Sequence, residues 1–103
     1  MNAAQSSSTR TKTKKQPRPS PPKPKQLPPY KVLLHNDDVN EMSYVVETIM
    51  ELVRLPVEDC VLKMLEAHHR GVALLLITHK ERAELLQDQF HSKKLTVTIE
   101  PVE

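Results

Sequence analysis

Charge and proline break this chain in two at Tyr30, and the break limits where a fold can form. Seven of the nine prolines and seven of the fifteen basic residues precede residue 30, and no acid does. From Tyr30 onward thirteen acids face eight bases. The net charge of +2 therefore averages a +7 segment with a −5 domain. Apart from Met1, the only bulky apolar residue in the first segment is Leu27. Such a stretch cannot bury enough apolar surface to offset its ordering entropy, so residues 1–29 are expected to be disordered with polyproline II character. Folding is confined to residues 30–103, one small domain with an expected stability of about 5 kcal/mol.

Composition excludes several functions. The longest apolar run, Val72 to Ile77, is six residues, far short of the roughly 20 that span a bilayer. Cys60 is the one cysteine, which removes a disulfide framework and a cysteine-based zinc site. One glycine excludes a Gly-rich phosphate loop. Three aromatics make a poor stacking platform for single-stranded nucleic acid. No apolar h-region marks a secretory signal, and no amphipathic stripe marks a transit peptide.

Within the domain the pattern predicts β-α-α-β-α-β. Tyr30–His35 is a strand with Tyr30, Val32 and Leu34 on one face. Asn36-Asp37-Asp38 forms a turn, and Asn40 is the expected N-cap. Val45, Ile49, Leu52 and Val46, Met50, Val53 give a helix over 42–54 with a broad buried face, in which mid-helix Met50 is more buried than Met42. Pro56 opens a second helix with Val57, Val61, Met64, Leu65 and His68 on its buried side, and Gly71 closes it. Val72–Ile77 is a strand. Thr78 and Glu81 have capping-box spacing before a third helix carrying Ala83, Leu86 and Phe90. Leu95–Ile99 alternates as a strand with Leu95, Val97 and Ile99 inward. The expected class is α+β: a small three-stranded antiparallel sheet covered on one face by three helices.

Two clusters could carry chemistry. Asn36-Asp37-Asp38 with Asn40 crowds acceptors at the mouth of a helix, either for turn geometry or to hold a cation or ammonium. His68-His69 cannot both face one metal, because adjacent helical residues point about 100° apart. His68 lies at the edge of the apolar face, as a hydrogen-bonded histidine or as a neutral acceptor. Met42 and Met64 are core filler or an adaptable binding wall. Cys60 reads as buried and inert.

Together, the run Tyr30 to Asp38, Met42, and Met64-Leu65-Glu66-Ala67-His68-His69-Arg70-Gly71 resemble the ClpS family, adaptors for AAA+ Clp proteases. The resemblance covers most of residues 29–101. It implies recognition of N-degrons, chains whose first residue is bulky and apolar, usually Leu, Phe, Tyr or Trp. It also implies delivery to the N-domain of a Clp unfoldase. Carried over, Asn36, Asp38 and His68 hold the free α-amino group, with Asp37 beside them. Leu34, His35, Asn40, Met42, Val45, Met64, Ala67 and Leu95 line the side-chain pocket, with Met42 as gatekeeper against β-branched residues. Glu81 and Glu84 are candidates for the partner interface. The sequence departs from the family at Asn40, where Thr is usual, at His35 and Ala67, and at Leu85-Leu86 in the third helix.

On this reading the protein is a non-enzymatic, monomeric, cytoplasmic adaptor with no cofactor or metal, and it binds neither nucleic acid nor membrane. Two alternatives stay open from the residues alone. One is a nucleic-acid- or ribosome-associated protein acting through the basic tail, with steep salt dependence. The other is a metal-dependent hydrolase using Asp37, Asp38 and His68.

Overall fold

The computed structural model describes residues 27–103. The basic segment foreseen over 1–29 thus lies outside the described residues except for its last three. The elements run β1 (Tyr30–His35), α1 (Met42–Val53), α2 (Val57–Arg70), β2 (Val72–Thr78), α3 (Lys80–Ser92) and β3 (Val97–Pro101). This is the expected order and class. β1 is the central strand, antiparallel to β2 on one side and β3 on the other. Leu75 has no partner across the β1–β2 ladder, because the register slips between Val32 and Leu33.

Alternation drives the packing. Val32 and Leu34 of β1, Ala73 and Leu75 of β2, and Val97 of β3 are buried on the face that the helices cover. Leu95 is buried as foreseen and Ile99 packs partly buried against the core. Helix α3 contributes Ala83, Leu86 and Phe90, the last fully buried. Among the described residues no helix is long and apolar enough to cross a membrane.

Several local expectations are corrected. Helix α2 buries Cys60, Met64 and Ala67, an i, i+4, i+7 stripe rotated from the one expected, and leaves Val57 and His68 exposed. Pro56 is its N-cap rather than its first residue. Met50 is nearly as exposed as Met42. The N-cap of α1 is Glu41, not Asn40, which lies one residue before the cap position. The capping box at Thr78 does not form, because β2 runs through Thr78 and His79 becomes the cap without a side-chain bond. Strand β3 begins at Val97 rather than Leu95, although the Thr96 carbonyl already accepts from His35 N–H at 3.0 Å.

Arg54 and Gly71 end α1 and α2 in the left-handed region, at φ 67° and 90°. Gly71 fits that region without a Cβ penalty; Arg54 does not. Cys60 donates to the Leu55 carbonyl at 3.5 Å. Burial, helped by the Asp59 charge, still pushes its thiol up, so it stays protonated and unreactive.

Candidate functional site

The end of β1 is pinned from both sides. His35 N–H is bonded to β3's approach, and Asn36 N–H donates to the Gly71 carbonyl at 2.9 Å. Gly71 can serve there because its left-handed turn closes α2, with its own N–H on the Ala67 carbonyl at 2.8 Å. The β1–β2 register places His35 opposite Val72, so Asn36 stands beside the last turn of α2, which carries His68. Two segments remote in sequence therefore meet at one sheet end.

Asp37 organises the loop that follows. One carboxylate oxygen accepts from Val39 N–H at 2.7 Å and Asn40 N–H at 2.9 Å; the other accepts from the Asn40 amide at 2.7 Å. Burial works against ionisation here. The Asn40 side chain and the two backbone N–H groups outweigh it and hold the carboxyl below its ordinary range. Asp37 is thus a fixed anion. The Asp38 carboxylate accepts from the Asn36 amide at 3.2 Å. That bond turns the Asn36 carbonyl oxygen, an acceptor, away from Asp38.

Between this loop, α1 and α2 lies a cleft lined by Leu34, His35, Asn36, Asp37, Asn40, Met42, Val45, Met64, Ala67 and His68. Its polar lining comes from His35, Asn36, Asp37, Asn40 and His68, and its apolar lining from Leu34, Met42, Val45, Met64 and Ala67. Two site residues expected from sequence fall outside. Leu95 is 2% exposed and belongs to the core. Asp38 lines a neighbouring cleft with Lys94 and Thr96. His35 lines the cleft, and Nε2 of its ring bonds Thr98 Oγ1 at 2.7 Å across the sheet. The cleft's volume is about 20 Å³, the room of about one water. A bulky side chain can enter only if a wall residue moves. Met42, 45% exposed and unbranched, is the adaptable one.

Glu81 and Glu84 lie at the other end of β1. They line a wider cleft of about 590 Å³ with Leu27, Pro28, Pro29 and Thr78. Sequence reasoning missed Tyr44 and the Lys93–Lys94 turn, which hold α1 from behind the candidate cleft. No sequence signal points to Lys94, because lysine is an unusual occupant of its left-handed conformation. Among the described residues no group of three or more His, Cys, Asp or Glu converges to hold a metal.

The family model described as ATP-dependent Clp protease adaptor protein ClpS matches residues 25–98. The chain belongs to the ClpS family. It is 47% identical over 78 residues to the ClpS adapter protein of Synechococcus sp. (strain CC9902), covering 75% of each chain. To the ClpS adapter of Gloeobacter violaceus it is 41% identical over 78 residues, covering 75% of this chain and 84% of that one. A chloroplastic relative, CLPS1 of Chlamydomonas reinhardtii, is 44% identical over the same length, which is 48% of that longer chain. The fold matches Agrobacterium tumefaciens ClpS2 bound to L-phenylalaninamide with a TM-score of 0.70 and 25% identity, over 75% of this chain and all of that one. The protein is thus a ClpS-type adaptor of an ATP-dependent Clp protease.

Proposed function

We propose that the cleft binds the first residue of N-degron substrates and that the protein delivers them to a Clp AAA+ unfoldase. An α-ammonium brings three N–H donors and one positive charge. It needs acceptors, a nearby anion and no competing donors. Asn36 offers a carbonyl oxygen, Asp37 a fixed carboxylate and His68 an imidazole nitrogen. The bulky first side chain passes between Met42, Val45, Met64 and Ala67. The observation that carries this reading is that Asn36, Asp37 and His68 line the same small cleft as Met42, Val45, Met64 and Ala67. L-phenylalaninamide on the structural relative has the same chemistry, a free amine beside a benzyl group. The domain's −5 charge suits a cationic ligand.

In this scheme Asp37, not Asp38, is the anion next to the ammonium, and Asp38 orients the Asn36 amide. The adaptor works as a non-catalytic monomer in the cytoplasm. Its unfoldase contact is the face of α3 with Glu81 and Glu84, beside Leu27. The six residues of β1 separate the two clefts, a span of roughly 17 Å, so substrate and unfoldase engage opposite ends of the sheet. Reconstituted degradation tests this. The full chain should accelerate turnover of a Phe-starting reporter by a Clp unfoldase–peptidase pair and leave a Met-starting reporter unchanged. Equal turnover of both would refute the reading.

A further inference from the structure

The geometry points to Tyr44 as a positioning residue that sets the width of the cleft by bracing Met42; the inference rests on the proposed binding of a first side chain there. Met42 opens α1 between two side chains that reach the same turn. Asn40, two residues before it, donates its amide to the Lys94 carbonyl at 3.0 Å. Tyr44, two residues after it, donates its hydroxyl to the Lys93 carbonyl at 2.8 Å. One helical turn on from Tyr44, the Thr48 hydroxyl donates to the Tyr44 carbonyl at 2.8 Å.

The turn that receives these bonds is itself rooted in the core. Lys93 N–H donates to the Phe90 carbonyl at 3.0 Å, and Leu95 N–H does the same at 3.0 Å. Phe90 and Leu95 are both buried. Lys94, held between them at φ 71°, has little freedom to follow a moving helix. The start of α1 is therefore tied to a fixed point. The wall of the cleft cannot swing outward as a body, and room for a first side chain has to come from the rotamers of Met42. A methionine side chain makes a narrow opening, which suits a side chain unbranched at Cβ and rejects a wider β-branched one. With the Tyr44 tie gone, helix and side chain can retreat together and the opening widens.

The test is selectivity. Dissociation constants of fluorescent peptides starting with Leu and with Ile are compared for the full-length protein, Tyr44→Phe and Glu51→Gln. Glu51 pairs with Lys93 at 3.6 Å from the same helix but far from Met42, and it serves as the control. Tyr44→Phe should keep Leu binding within about twofold and improve Ile binding, narrowing the Leu-over-Ile ratio about fivefold, the worth of one hydrogen bond. Glu51→Gln should leave the ratio unchanged. An unchanged ratio in Tyr44→Phe, an equal loss for both peptides, or the same shift in Glu51→Gln would each overturn the brace. Failure of the unaltered protein to bind the Leu peptide would instead remove the reading on which it rests.

Discussion

Asn40 donates to Asp37 twice, from its backbone at 2.9 Å and from its side-chain amide at 2.7 Å. The second hydrogen of that amide reaches the Lys94 carbonyl at 3.0 Å. One carboxamide thus joins the substrate-side loop to the turn before β3. Both of its amide hydrogens are used in doing so, and the cap position of α1 falls one residue later, at Glu41.

The first prediction concerns acid stability. The Asp37 carboxyl is held below its ordinary range, so its stabilisation is present above about pH 4 and is lost as pH falls through the lowered value. Asp37→Asn keeps an acceptor but not the charge. Its thermal midpoint should fall clearly below that of the natural chain at pH 7, and the two should converge as pH approaches 2.5. A constant gap from pH 7 to 2.5 would show that the ionised carboxylate contributes nothing.

Helix ends give a matched pair. Arg54 sits at φ 67° and is exposed. Arg54→Gly removes its Cβ strain and should stabilise by about 1 kcal/mol, a rise of roughly 4–8 °C in thermal midpoint. Gly71 is at φ 90°, and a Cβ added there would meet nothing within 4 Å. Gly71→Ala should cost about 1–2 kcal/mol from backbone strain alone. Thermal unfolding of both variants checks the signs; matching signs would contradict the C-cap account.

Helix α2 can be tested by its orientation. Cys60 is fully buried, whereas Val57 is 47% exposed. Val57→Ser should change stability by less than about 0.5 kcal/mol. Phe90→Ala, which empties the largest buried site, should cost about 3–5 kcal/mol and bring a domain of this size close to unfolding. Urea titrations compare them. A large loss at Val57 would restore the helix face expected from sequence.

The order of elements was legible because each carries a strong local signal. Alternation marks Tyr30–His35 and Leu95–Ile99, and Gly71 marks the end of α2. What failed turns on tertiary context. Asn40 has the residue type of an N-cap, but its amide ties the loop to Asp37 and Lys94 and the helix starts later, with Glu41 at the cap. Thr78 and Glu81 have capping spacing, but the β1–β2 ladder extends through Thr78. The face of α2 was misjudged because Val57 and Cys60 are both apolar and only tertiary packing decides between them. At the site, the meeting of Asn36 with the last turn of α2 depends on strand register, which periodicity does not contain; the family resemblance supplied it. Resemblance also placed Leu95 on the pocket, whereas it roots the turn behind α1.

The central claim is that the Asn36–Asp37–His68 cleft reads a free α-amino group beside a bulky first side chain. Fluorescence anisotropy with a Phe-starting peptide and its N-acetylated twin tests it most directly, on the natural chain and on His68→Ala. The account predicts saturable binding of the free-amine peptide. Acetylation and His68→Ala should each weaken it at least about tenfold, the effect expected when a charged group loses a partner. Equal binding of the free and acetylated peptides would contradict the account.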